Sequence, residues 1–145
     1  MKWGTIATWR MSYEGMIEAK KLLNNNGVAG DAIETLIKKV ENYPYYKSVG
    51  YGGLPNEEGV IQMDASFMDG DTLAQGAVAG IQDVKNAISV ARFLSYNHYN
   101  SFLVGEGATK YAKIHGFETM NMLTERAKKR WEKKKNELKK ETLNP

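Results

Sequence analysis

The sequence predicts a layered α+β domain, and three observations support this prediction. Alternating residues at 60–68 and 72–82 flank a turn at 69–71 and predict a β-hairpin. Segments with helical spacing of apolar residues precede and follow the hairpin, and a short apolar stretch at 101–104 adds another strand. Helices around so few strands are typical of an α+β domain. Because the strand content is too low for a closed sheet, we expect strands from elsewhere to complete it.

The first part of the chain is expected to form one strand and two helices. Residues 3–9 alternate weakly between apolar and polar side chains, which favours a strand. Ser12 is a candidate N-cap for a helix that ends near Leu23, because the Asn-Asn-Asn-Gly cluster at 24–27 supplies a turn. Asp31 caps or begins the second helix.

A glycine-rich loop lies between the second helix and the hairpin. The helix ends at Tyr43-Pro44, since proline restricts the residue before it. Residues 45–59 are rich in Tyr, Gly, Pro and Asn, and Gly50, Gly52 and Gly53 permit tight backbone packing. This loop leads directly into the first hairpin strand.

The last part of the chain is expected to be mostly helical. Periodic segments predict helices at 84–96, 108–115 and 121–140, with a Gly-Glu-Gly turn at 105–107. Residues 141–145 end in proline and are expected to form an unstructured exit from the last helix.

The formal net charge of +3 conceals a strongly basic C-terminal segment. Residues 126–140 contain nine Lys or Arg and two Glu, a local charge of +7. Such a segment fits either nucleic-acid binding or a solvated helix end. We favour the solvated helix end, because Trp131 is its lone aromatic residue and single-strand binders combine several aromatic residues with basic ones.

Composition excludes several classes of protein. The 145 residues suffice for one domain with a core, and a hydrophobic content of 42% argues against disorder. No apolar run approaches the roughly 20 residues that span a bilayer. Without cysteine there is no disulfide framework and no thiolate metal site. The first residues lack the apolar segment of a signal peptide, so we expect a cytoplasmic protein.

Familiar catalytic and cofactor motifs are absent from the sequence. His98 and His115 are far apart, and there is no Ser-His-Asp set, metalloprotease helix motif or Walker loop. The Gly-Tyr-Gly-Gly run at 50–53 is not a dinucleotide fingerprint, because a proline-containing loop follows it. Asp64 and Asp69 would point to opposite faces of a strand, so they do not predict a shared metal ion. We expect no metal and no cofactor.

A signature of two blocks spans residues 48–70. The first block, at 48–56, is Ser-Val-Gly-Tyr-Gly-Gly-Leu-Pro-Asn, and the second, at 63–70, is Met-Asp-Ala-Ser-Phe-Met-Asp-Gly. In these residues the chain resembles the α subunit of the glycosylasparaginases. Plant-type asparaginases share the second block but differ in the loop before it. Further blocks in the family's order extend the likeness over about residues 5–117, at 8–9, 31–34, 76–78, 85–92 and 103–108.

The resemblance implies an N-terminal-nucleophile hydrolase with a four-layer αββα sandwich, of which this chain is the α-subunit half. Members of the family are made as one precursor that cuts itself before a Thr, giving an α and a β chain. The Thr hydroxyl attacks the side-chain amide of N-acetylglucosaminyl-asparagine, and aspartate is released. Its own α-amino group acts as the base, so no His is required. The Thr and the oxyanion hole belong to the β chain.

The resemblance also implies partners and boundaries. The partners would be the β subunit from the same precursor, a second αβ pair in an (αβ)2 assembly and a small-molecule substrate, with neither nucleic acid nor membrane. Residues 1–120 would form the α-subunit half of the domain. Residues 121–145 would form a basic C-terminal helix and a linker towards the autocleavage site.

Four residues match positions near the active site of this family. Trp9 matches a Trp at the pocket entrance, where its ring can stack on a sugar, although a core Trp fits nearly as well. Ser48 matches a Ser near the amine of the nucleophile, in a supporting catalytic role, and the alternative is a turn-forming Ser. Asp64 matches a nearby acid, which we interpret as a structural aspartate that bonds backbone amides. Met11 stands where the family has Phe, which alters the sugar subsite.

Two other functions stay open at this point. An isoaspartyl peptidase or L-asparaginase of the same superfamily would use the same chemistry on another leaving group, and Met11 and the expected cytoplasmic location favour it. A non-catalytic partner subunit would have lost its nucleophile. The first residue of the companion chain would distinguish an enzyme from a non-catalytic subunit. Thr would support an enzyme, and a residue other than Thr, Ser or Cys would support the non-catalytic subunit.

Overall fold

The computed structural model describes residues 2–97 and 99–143, with the backbone alone for 141–143. No helix within these ranges is long and apolar enough to cross a membrane. The elements are, in chain order, a 3₁₀ turn at Arg10–Ser12, α1 (Tyr13–Asn24), α2 (Ala29–Glu41), β1 (Gln62–Met68), β2 (Gln75–Gln82), α3 (Ala87–Ser95), β3 (Phe102–Val104), α4 (Gly105–Ile114) and α5 (Glu125–Leu143).

The strands of the described chain form one mixed sheet in the order β1-β2-β3. β1 and β2 pair antiparallel as the predicted hairpin, from Met68 opposite Gln75 to Gln62 opposite Gln82. β2 and β3 pair parallel, because α3 carries the chain back along the sheet before β3 begins. β1 is therefore at an edge of this sheet.

The core lies between one face of the sheet and helices α3 and α4. Along β1, Met63 and Phe67 are buried, whereas Gln62, Asp64 and Ser66 on the other face are exposed. This alternation is the period of two that a half-buried strand requires. The largest fully buried side chains are Val78, Ile81, Val84, Ile88, Val90, Leu94 and Met122.

A glycine allows β2 to lie directly against α3. Gly76 is buried, and a Cβ atom at this position would collide with the carbonyl oxygen of Ala91 and the backbone nitrogen of Ser95. Backbone atoms cannot turn aside as a flexible side chain can, so the contact requires a residue without a side chain.

The opposite face of the sheet has no covering element among the described residues. Phe102 is 59% exposed and Val104 is 58% exposed, while Leu103 between them packs on the core. Exposed apolar side chains next to open strand edges are typical of a surface that another element covers. The expectation that strands from elsewhere complete the sheet therefore stays a prediction.

The strand expected at 3–9 is wrong. Residues 2–7 have no regular secondary structure, and Ile6 is 92% exposed. A strand is stable when its backbone groups pair with a neighbour, and no described strand lies beside this segment. A weak alternation of side chains cannot supply that neighbour.

The second hairpin strand begins at Gln75 and not at residue 72. Asp69 accepts hydrogen bonds through Oδ1 from the backbone N–H groups of Asp71 and Thr72 and from the Thr72 hydroxyl, at 2.9–3.0 Å. Leu73 adopts a φ of 58°, which a strand does not allow. These bonds hold the hairpin connection as a wider loop than the sequence suggested.

The predicted helices are present in the predicted order, but several begin at different residues. The Gly-Glu-Gly segment expected as a turn is the first turn of α4, which starts at Gly105. The segment expected as a helix at 84–96 is helical at Ala87–Ser95. Ser12 directly precedes α1, but its hydroxyl donates to the carbonyl oxygen of Trp9 instead of capping the helix.

The last helix begins and ends later than expected, at Glu125 and Leu143. The backbone N–H of Ala127 donates to the Thr124 hydroxyl at 3.2 Å, which fixes the start of α5 at Glu125. The unstructured exit expected at 141–145 is wrong for 141–143, where the backbone is helical. No Gly or Pro lies within Glu125–Leu143, so no residue of this segment interrupts the helix. Asn144 and Pro145 lie outside the described residues, as does His98.

Candidate active site

A cleft of about 360 Å³ lies along the edge of β1. Its walls come from the end of α2, the start of α3, the outer edge of β1 and the glycine-rich loop at 48–50. The polar side chains that line it are Glu41, Ser48, Gln62, Asp64 and Ser66. Both blocks of the signature at 48–70 therefore meet at one concave surface.

The glycine-rich loop is held against the end of α2. Gly50 has a φ of 66°, and a Cβ atom there would collide with the carbonyl group of Glu41. The next residue, Tyr51, donates its N–H to the carbonyl oxygen of Glu41 at 2.8 Å. Because a left-handed backbone and a close contact coincide at Gly50, glycine is required here. Ser48, two residues earlier, is thereby placed at the rim of the cleft, where it is exposed.

Asp64 stabilises an irregularity in the hairpin. The register of the two strands shifts between Met63 and Ala65, and the partner strand turns through Gly80, which has a φ of 61°. The N–H of Gly80 donates to Asp64 Oδ1 at 2.7 Å. This is the bond to a backbone amide that a structural aspartate makes. A role for Asp64 near the reacting atoms stays a prediction.

Glu41 is a buried carboxyl group at the cleft that the sequence interpretation missed. The residue is 6% exposed, and its carboxylate accepts hydrogen bonds from Asn86 Nδ2 at 3.0 Å and from the N–H of Ile88 at 3.1 Å. Loss of solvation raises its pKa to about 7, against the opposing effect of these bonds and of Lys38. Helical spacing could have identified it, since Glu41 follows Ile37 by four residues on the apolar face of α2.

Trp9 and Met11 are not among the residues that line the cleft. Trp9 is 69% exposed, so its ring does not belong to the core of this chain. The backbone of Met11 is connected to the site indirectly, because the Tyr46 hydroxyl donates to the Met11 carbonyl oxygen at 3.1 Å. The binding roles of these two residues stay predictions.

Within the described ranges, no group of three or more His, Asp or Glu side chains could hold a metal ion. His115 is exposed, and its ring packs on Tyr111 and Phe93 at centroid distances of 4.3 and 5.0 Å. His115 is not among the residues that line the cleft.

Glu41 should make folding stability depend on pH. The pKa of Glu41 in the folded protein is about 7, above the ordinary value of 4.5. The contribution of its protonated carboxyl group to folding stability is therefore fully present below pH 4.5 and is lost as the pH rises through 7. Glu41→Gln cannot ionise and should lose this dependence. Unfolding measured between pH 5 and pH 8 should show the variant gaining on the wild type as the pH rises, by up to about 3 kcal/mol.

The exposed Glu58→Gln serves as the control and should follow the wild-type curve. Parallel stability curves for the wild type and Glu41→Gln would show that Glu41 does not titrate in this range.

Curated relatives of this chain are asparagine-directed hydrolases. The chain is 39% identical over 126 residues to an N(4)-(β-N-acetylglucosaminyl)-L-asparaginase of Elizabethkingia miricola, covering 87% of this chain and 37% of that protein. It is 45% identical over 112 residues to a plant-type L-asparaginase of Pyrococcus abyssi, covering 77% of this chain and 36% of that protein.

A mammalian relative carries a third name. The chain is 39% identical over 121 residues to an isoaspartyl peptidase/L-asparaginase of Mus musculus, covering 81% of this chain and 37% of that protein. The chain thus spans a little over a third of the length of these relatives. A family model described as asparaginase matches residues 7–145. These matches confirm the resemblance carried by residues 48–70: the chain belongs to the asparaginase family of hydrolases, to which the glycosylasparaginases are related.

Proposed function

We propose that this chain is the α-subunit part of a self-processed amidohydrolase that releases aspartate from N-acetylglucosaminyl-asparagine. The observation that carries the proposal is the meeting of both signature blocks at one cleft, with Ser48 from the first block and Asp64 from the second. The relative from Elizabethkingia miricola, which has this activity in its name, covers 87% of the chain.

The proposed reaction needs a nucleophile from a companion chain. The hydroxyl oxygen of an N-terminal Thr attacks the side-chain carbonyl carbon of the asparagine, and the α-amino group of that Thr takes the hydroxyl proton. The C–N bond breaks as the leaving nitrogen is protonated, and a β-aspartyl ester remains. Water then hydrolyses the ester to free aspartate and regenerate the Thr. Ser48 would accept or donate a hydrogen bond at the amine and so adjust its basicity.

The uncovered face of the sheet supports the proposal that a companion chain packs on it. Helices cover one side of β1 and β2, whereas Phe102 and Val104 are exposed on the other. A second sheet packed on this face would complete the four layers of the proposed αββα sandwich. The companion would be the β subunit from the same precursor, and two such pairs would form an (αβ)2 assembly, which we place in the cytoplasm.

A second candidate is an L-asparaginase or isoaspartyl peptidase. The plant-type enzyme from Pyrococcus abyssi is 45% identical over its matched segment, a higher identity than that of the glycosylasparaginase. The same nucleophile would serve, and the leaving group alone would differ. A non-catalytic subunit is the third possibility, and absence of turnover in the complete protein would favour it.

Substrate comparison tests the proposal. The complete protein should hydrolyse N-acetylglucosaminyl-asparagine with a higher kcat/KM than L-asparagine or a β-aspartyl dipeptide. Trp9→Ala should lower kcat/KM for the sugar-bearing substrate by about fivefold, because stacking of an aromatic ring on the sugar is worth on the order of 1 kcal/mol. The kcat/KM for L-asparagine should stay nearly unchanged. Trp3→Ala, in the same N-terminal segment, is the matched control. Preference for the dipeptide would favour the second candidate, and equal losses on both substrates would give Trp9 a structural role.

Ser48 should affect the chemical step more than folding. Ser48→Ala should lower kcat by about tenfold or more and shift the pH dependence of kcat, because it removes a hydrogen bond to the catalytic amine. Ser66→Ala is the control, since Ser66 is also exposed and lines the same cleft. Unchanged turnover of Ser48→Ala at every pH, or an equal loss in both variants, would remove Ser48 from the mechanism.

A further inference from the structure

We propose that residues 122–131, here called the strap, hold the glycine-rich loop in the shape that presents Ser48 to the cleft, with Arg126 and Trp131 as positioning residues. The inference rests on the proposed role of Ser48. It goes beyond that role because it assigns a task to the basic C-terminal helix, which the proposed chemistry does not use.

The first contact lies on the N-terminal side of Ser48. The guanidinium carbon of Arg126 is 4.9 Å from the centre of the Tyr45 ring, a cation–π arrangement. Tyr45 also packs on Tyr43, with ring centres 5.5 Å apart. This contact fixes the chain three residues before Ser48.

The second contact lies just after Ser48. Gly52 donates its N–H to the carbonyl oxygen of Met122 at 2.8 Å. Gly52 has a φ of 78°, and a Cβ atom there would be 3.1 Å from the side chain of Thr124. A side chain at position 52 would collide with the carbonyl oxygen of Pro44 in the loop and would also press on Thr124 of the strap, so glycine is required where the two meet.

The third contact lies at the far end of the loop. The ring of Trp131 covers Gly59, where a Cβ atom would be 3.1 Å from the ring carbons. Lys135 extends this contact, since its Nζ lies 4.6 Å from the centre of the Trp131 ring and donates to the carbonyl oxygen of Glu57 at 3.4 Å.

These contacts explain the lone aromatic residue in a helix that is otherwise strongly polar. Most of α5 is exposed, and Ala127 is the buried residue among its described side chains. A helix with so little apolar surface gains stability mainly from the contacts that it makes with the rest of the protein. Trp131 supplies such a contact, and it falls on the loop that contains Ser48.

The three contacts act on Ser48 from both sides along the chain. Between the end of α2 and the start of β1 the backbone has no helix or strand to hold it. Besides the strap, the bond from Tyr51 to Glu41 and the bond from the Tyr46 hydroxyl to Met11 hold the loop near Ser48. Removal of the strap's contacts on one side of Ser48 should let this loop move. The Ser48 hydroxyl should then no longer keep its position at the cleft.

A double-mutant cycle in the complete, processed protein tests the inference. Trp131→Ala should lower kcat by about tenfold and change KM by less than about twofold, and Trp131→Phe should restore most of the loss. In a Ser48→Ala background, Trp131→Ala should lower kcat by less than about twofold further. Lys133→Ala is the control, because Lys133 is 80% exposed on α5 and should behave as the wild type.

Hydrogen exchange separates this inference from the proposed function. The amides of residues 48–60 should exchange faster in Trp131→Ala than in the wild type, whether or not the protein hydrolyses any of the substrates. Unchanged exchange in this loop, or the same loss of kcat in both backgrounds, would overturn the inference. If Trp131→Ala does not fold, Arg126→Ala with Arg126→Lys as its conservative partner provides the same cycle.

Discussion

Glu41 connects the parts of the fold that shape the cleft. Its carboxylate accepts hydrogen bonds from Asn86 and Ile88 at the start of α3, and its carbonyl oxygen accepts one from Tyr51 in the glycine-rich loop. Burial of a carboxyl group is unfavourable unless hydrogen bonds satisfy it. The buried Glu41 is therefore stable only because several elements supply those bonds. Gly50 is required by the same contact, since a side chain there would meet the Glu41 backbone. The location of Ser48 follows from these constraints.

Helices cover one face of the sheet, and no described element covers the other face. Met63 and Phe67 meet the helices, while the exposed side of the sheet includes Phe102 and Val104. Trp9 and Ile6 add exposed apolar surface from a segment without regular structure. Apolar surface of this extent is typical of a protein surface that binds a partner. This asymmetry between the two faces agrees with a chain that spans little more than a third of the length of its relatives.

The sequence predicted the features that depend on local chemistry. The hairpin follows from alternation around Asp69-Gly70-Asp71, and the order of helices follows from their periodicity. Features that depend on distant residues were missed or mistaken. The strand at 3–9 needs a neighbour that no described element supplies, and the buried position of Glu41 results from α3 packing on α2. The resemblance matched Ser48 and Asp64 separately to positions near an active site, and the structure shows that both line one cleft, which periodicity alone could not predict.

The most direct test is the composition of the complete protein after purification and denaturation. Intact mass measurement and N-terminal sequencing would show whether the polypeptide has cut itself. Self-processing predicts two chains whose masses sum to that of the encoded precursor plus one water molecule, the second chain beginning with Thr. A single uncut polypeptide, or a second chain that begins with a residue other than Thr, Ser or Cys, would contradict the proposal that this chain is half of an N-terminal-nucleophile enzyme.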